Sequence, residues 1–214
     1  MIFRKMKKIF LLITACLASV YAGCGAAVHF CVAVPSCAVA MDGGGIAEDE
    51  AALIERALSF GKLSASYRMI RSVPAFSEKY ESSGTLEIYG DGRLYWHSES
   101  PDRYQFFTDG SSAYVEKNGE RQAVSQAFSG IFSFITEAMP SSGTLENRFF
   151  SVSSYAVDDE RIGLVLTPSR GAMSSFISKI DIVLSSSEAI VKEVNVLAAN
   201  GSVIRIIFDN VVKE

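Results

Sequence analysis

Few of the residues that usually carry chemistry are placed to do any here. After residue 45 there is one histidine, His97, on the charged side of an alternating apolar run, where a solvated surface histidine is the ordinary reading. The four cysteines, Cys16, Cys24, Cys31 and Cys37, all fall within the first 40 residues. The remainder therefore has neither a disulfide framework nor a thiolate metal site. Asp158-Asp159 is a carboxylate pair, but its polar surroundings read as a solvated turn. No Gly-x-Ser-x-Gly elbow, HExxH helix or phosphate loop occurs. The expectation is a protein that is not an enzyme, with no catalytic residue, no metal and no cofactor.

What the chain does have is one large, aromatic apolar face. From Gly84 to Phe107 the sequence reads as short strands in succession. Leu86 and Ile88 alternate with Thr85, Glu87 and Tyr89. After the turn at Gly90-Asp91-Gly92, Leu94 and Trp96 alternate with Arg93, Tyr95 and His97. A two-residue period puts Leu86, Ile88, Leu94 and Trp96 on one face and the charges on the other. Pro101-Asp102 turns the chain into Tyr104 and Phe106, which extend that face. A surface so large and aromatic binds apolar matter or is buried; it does not stay in water.

The elements that must position it follow from the same patterns. Glu48, Asp49 and Glu50 open a helix, complementing its dipole, with Leu53, Ile54, Ala57, Leu58 and Phe60 as its stripe and Gly61 as its stop. Leu63, Ala65, Tyr67 and Met69 form a strand, and 72–83 reads as loop. Ala113-Tyr114-Val115 is a strand turning at Asn118-Gly119. A second helix is expected over 122–139, with Val124, Phe128, Ile131, Phe132, Ile135 and Met139 at helical spacing. Four strands follow, 162–167, 176–184, 190–197 and 203–208, the last pair joined at Asn200-Gly201.

These elements predict an α+β, mostly β fold: a strongly curved antiparallel sheet forming an incomplete barrel, with helices covering its apolar concave face. The candidate lining for an acyl-chain cavity is Leu86, Ile88, Leu94, Trp96, Tyr104, Phe106, Phe128, Phe132 and Ile135. The alternative reading of the same residues is ordinary filled core. Phe128, Phe132 and Phe134 beside Ser125, Ser129 and Ser133 make a mixed aromatic and small surface, suited to lie on a sheet without packing densely.

The first 40 residues contain no acid. Arg4, Lys5, Lys7 and Lys8 precede an apolar stretch, the layout of an export leader. Ala38-Val39-Ala40 after Pro35 is the leading cleavage candidate, dividing the chain into a leader, 1–40, and a body, 41–214. Cleavage after Ala22, lipid attachment at Cys24 or Cys16, and an uncleaved anchor are the alternatives. The whole chain carries −4, and four of its basic charges lie in the leader, so the body carries −8. Such a body is unsuited to nucleic acid or to an anionic lipid surface.

The spacing from Gly84 through Trp96 and Pro101 to Asp109-Gly110 resembles the first hairpin of the LolA family of periplasmic lipoprotein carriers. Leu63-Ser64-Ala65-Ser66-Tyr67, Leu164-Val165-Leu166-Thr167-Pro168 and the final strands are similar to the family as well, so the resemblance covers nearly everything after residue 45. It implies a periplasmic carrier of lipoprotein or lipid acyl chains, exported by its signal peptide. The implied partners are an inner-membrane ABC release complex and an outer-membrane acceptor, and a monomer is expected. Two positions depart from the pattern. Gly90-Asp91 stands where the family has Arg-Pro, whose arginine helps hold the cavity closed, and Met69 stands where it has Gln. The resemblance is therefore to the divergent LolA-like branch. An exported structural or surface-anchored β-rich domain with a filled core and no ligand is the alternative, and a hydrolase comes third.

Overall fold

The computed structural model describes residues 48–57, 59–74, 78–109, 112–124, 150–169 and 172–214. They form one helix, α1 (Glu48–Ala57), a short 3-10 turn (Ala172–Ser175) and eleven strands. The first six strands are β1 (Lys62–Ser72), β2 (Tyr80–Tyr89), β3 (Leu94–Ser100), β4 (Tyr104–Thr108), β5 (Ala113–Lys117) and β6 (Glu120–Ala123). The other five are β7 (Phe150–Asp158), β8 (Arg161–Pro168), β9 (Ile177–Ser185), β10 (Ile190–Ala198) and β11 (Val203–Lys213).

All eleven strands belong to a single antiparallel sheet in the order β6-β5-β4-β3-β2-β1-β11-β10-β9-β8-β7. Two meanders are thus joined where β1 pairs with β11, while β6 and β7, neighbours in sequence, form opposite edges. The sheet does not close, and the result is an incomplete barrel. Its apolar residues face inward by strict alternation. Leu63, Ala65, Tyr67 and Met69 of β1, Leu86 and Ile88 of β2 and Leu94 and Trp96 of β3 are all buried. The β8–β11 half of that face is aliphatic, built on Leu164, Leu166, Ile180, Ile182, Val194, Val196, Ile204 and Ile206. Ile54 and Ala57 place α1 in the same core, and the Ser154 hydroxyl donates to the Glu50 carboxylate at 2.6 Å, tying helix to β7.

Three expectations change. Residues 80–83 are not loop: Tyr80 to Ser83 extend β2 and pair with Arg71 to Arg68 of β1. Polar side chains on both faces hide the alternation there. Gln122 and Ala123 end β6, pairing with Val115 and Tyr114, rather than opening a helix. Asn118 and Gly119 both take positive φ, 55° and 81°, the twist that a two-residue hairpin requires. The remainder of the expected second helix, with Phe128, Phe132, Ile135 and Met139, lies outside the described residues. Finally, the last part of the chain has five strands, not four. β7, with serines on both faces, carries no clear period, and Asp158 is its last residue.

Candidate functional site

Strand register assembles the candidate lining into rows. Ala65, Leu86, Trp96, Phe106 and Val115 are successive Cα partners across β1 to β5. Beside that row runs Leu63, Ile88, Leu94, Thr108 and Ala113; on its other side runs Tyr67, Gly84, Ser98 and Tyr104. Leu86, Ile88, Leu94, Trp96 and Phe106 are thus brought together in two adjacent rows, each of them at most 1% exposed. Tyr104 sits half-buried at the margin. Phe128, Phe132 and Ile135 lie outside the described residues.

Sequence reasoning missed two members of this surface. Tyr67 was legible as an inward strand residue, but nothing in its local pattern places it against Trp96, whose ring lies 4.1 Å away. Ser82, in the stretch read as loop, is buried on the inner face as the partner of Met69. The indole Nε1 of Trp96 and the hydroxyl of Ser82 have no hydrogen-bond partner among the described residues. Ser98 donates instead to the Asp102 carbonyl at 2.7 Å. Tyr80 stands partly exposed near this end; the partial desolvation of its hydroxyl raises its pKa, Asp102 adds to the rise and Arg71 opposes it.

The outer face has a different chemistry. Tyr89, Tyr95, Phe107 and Tyr114 form a ladder across β2 to β5, with ring centroids 5.9, 4.8 and 5.0 Å apart. Arg93 lies 4.6 Å from the Tyr89 ring and Arg121 4.7 Å from that of Tyr114. A groove of about 530 Å³ beside the ladder is lined mainly by outward groups, among them Ser64, Ser66, Thr85, Glu87, Tyr95 and His97. Hydrogen bonds from Lys62 and Tyr89 hold the Glu87 carboxyl below its usual range. His97 is exposed, on the side expected for it. Asp158 is held below its ordinary value chiefly by a hydrogen bond from Arg161, with which it forms an ion pair. Among the described residues no three His, Cys, Asp or Glu side chains are grouped to hold a metal.

The departures from the family pattern also have a structural reading. Asp91 accepts from Arg93 Nε at 2.8 Å, and Arg93 lies over Tyr89 on the outer face. The arginine of this turn is therefore directed away from the inner surface. Met69 is 1% exposed on the inner face.

The described residues thus form an open antiparallel half-barrel whose inner face sets Tyr67, Trp96 and Phe106 among aliphatic side chains. The model of the outer membrane lipoprotein carrier protein LolA matches residues 62–214, and the chain belongs to that family. Solved structures similar to it include a LolA superfamily protein from Nitrosomonas europaea, at 10% identity and a TM-score of 0.41, covering 76% of this chain and 92% of that one. Another is the lipoprotein LppX of Mycobacterium tuberculosis, at 8% identity and a TM-score of 0.42, with 74% and 92% covered. A third is LprF of Mycobacterium bovis, at 9% identity and a TM-score of 0.36, with 74% and 90% covered. No curated protein matches the chain. No helix among the described residues is long and apolar enough to cross a membrane.

Proposed function

We propose that this protein is a periplasmic carrier, without enzymatic activity, that shelters the acyl chains of lipoproteins or related lipids and moves them from the inner to the outer membrane. The observation that carries this reading is the inner aromatic field: Trp96, Phe106 and Tyr67 on adjoining rows, in a chain of the LolA family. The physical need is clear. Each exposed CH₂ costs about 0.8 kcal/mol, so a chain of about 16 carbons represents on the order of 10 kcal/mol of exposure in transit. An apolar lining offsets most of that cost. The cargo comes from an inner-membrane ABC release complex and passes to an outer-membrane acceptor, the carrier acting as an exported monomer. Because Arg93 is held outside by Asp91, closure does not depend on an arginine from this turn.

The complete burial of Ile88, Leu94 and Trp96 favours a second reading, a filled core with no ligand. Equilibrium dialysis decides between them. Lipid-stripped protein is expected to bind a radiolabelled triacylated lipopeptide saturably, and Phe132→Glu to abolish binding while leaving the circular dichroism unchanged. No binding of any acylated probe rejects the carrier. Mass analysis of lipids that co-purify with the native protein identifies the cargo.

A further inference from the structure

Two polar groups on the inner face lie in the wrong place for an ordinary core. Trp96 Nε1 and Ser82 Oγ have no hydrogen-bond partner among the described residues, and their residues are only 0% and 4% exposed. Unpaired buried donors are rare and costly in folded proteins, so each asks for an occupant that completes it. The indole N–H can only donate, and a serine hydroxyl can donate too.

The two lie on the same inner face of adjacent strands, β2 and β3. Ser82 stands two residues before Gly84 on the same face of β2, about 7 Å along the strand. Trp96 leans across β2 to reach Tyr67, the partner of Gly84. The glycine leaves that crossing free of a side chain. An ionised group is a poor occupant here, because a buried charge needs a counter-charge. Arg71, inward on β1 and diagonal to Ser82, already has an interaction of its own. What fits is a neutral acceptor attached to an apolar body.

We propose that Trp96 Nε1 and Ser82 Oγ donate hydrogen bonds to the carbonyl oxygen of an acyl ester, so that the carrier recognises esterified chains by their linkage as well as by their length. This rests on the carrier reading and deepens it. The chain has one tryptophan, so ¹⁵N-labelled protein gives a single indole N–H resonance to follow.

The test titrates lipid-stripped protein with monopalmitoylglycerol and with its ether counterpart hexadecylglycerol, which differ at the carbonyl. Both are expected to bind, the ester roughly fivefold or more tightly, and only the ester to move the indole resonance downfield. Ser82→Ala should bring the ester down towards the ether, and Trp96→Phe should do the same by dialysis. Equal binding of the two probes with an unmoved indole overturns the ester proposal and leaves the carrier standing. No binding of either probe, nor of a triacylated lipopeptide, overturns both. Should Trp96→Phe fail to fold, Ser82→Ala with the indole resonance still decides.

Discussion

The rings of Tyr67 and Trp96 lie 4.1 Å apart and tilted by 37°, although they start from β1 and β3 with β2 between them. Strands two apart in a sheet are separated by about 10 Å, so both side chains must lean inward over β2. The residue beneath the crossing is Gly84, which contributes no side chain. The β2–β3 register shifts between Ser83 and Gly84, and the His97 carbonyl of β3 lies close to the same point.

Gly84→Ala tests that crossing. A Cβ there would stand 1.9 Å from the His97 carbonyl oxygen, which is backbone and cannot step aside alone. The variant should lose at least about 2–3 kcal/mol in urea unfolding. A near-neutral change would mean that β2 and β3 readily separate there.

Trp96→Ala discriminates carrier from filled core. Truncating a well-packed buried aromatic costs about 3–5 kcal/mol. Here the change also removes an unpaired buried N–H, which returns about 1–3 kcal/mol. The lipid-stripped protein should therefore lose only about 1–3 kcal/mol in denaturant unfolding. A full-size loss supports an ordinary, satisfied core.

Tyr155 predicts an alkaline effect. Its ring lies over Gly163 and its hydroxyl donates to Asp181 at 2.8 Å. Desolvation first, then the hydrogen bond and charge of Asp181, push its pKa from 10.0 to about 12. The folded state thus favours the protonated phenol. That contribution is fully present below pH 10 and is lost as the pH rises towards 12. Unfolding midpoints should fall across this window, and Tyr155→Phe should make the fall shallower. Tyr80, Tyr89 and Lys62, also raised, add to that slope, whereas Lys213, lowered by burial, opposes it. An identical slope in the variant would contradict the assignment.

The leader prediction stands on sequence alone. The exported protein should begin near Met41, after Ala38-Val39-Ala40. N-terminal sequencing of secreted material checks it. A lipid-modified Cys24 would replace this prediction with an anchored form.

The sequence by itself determined the local features. Alternation is set by adjacent residues, so Leu86, Ile88, Leu94 and Trp96 could be placed on one face, and Asn118-Gly119 could be read as a turn. The α1 stripe was equally local. Where no local period existed, the reading failed: serines on both faces concealed β7, and polar residues concealed the start of β2 at Tyr80. Only the tertiary structure decided which strands pair. It brought β1 against β11 and set β6 and β7 at opposite edges. It also carried Trp96 over Gly84 to Tyr67, and left the Ser82 hydroxyl and the indole N–H on the inner face without hydrogen-bond partners among the described residues. Such meetings depend on register between segments remote in sequence, and no window of neighbouring residues contains that information.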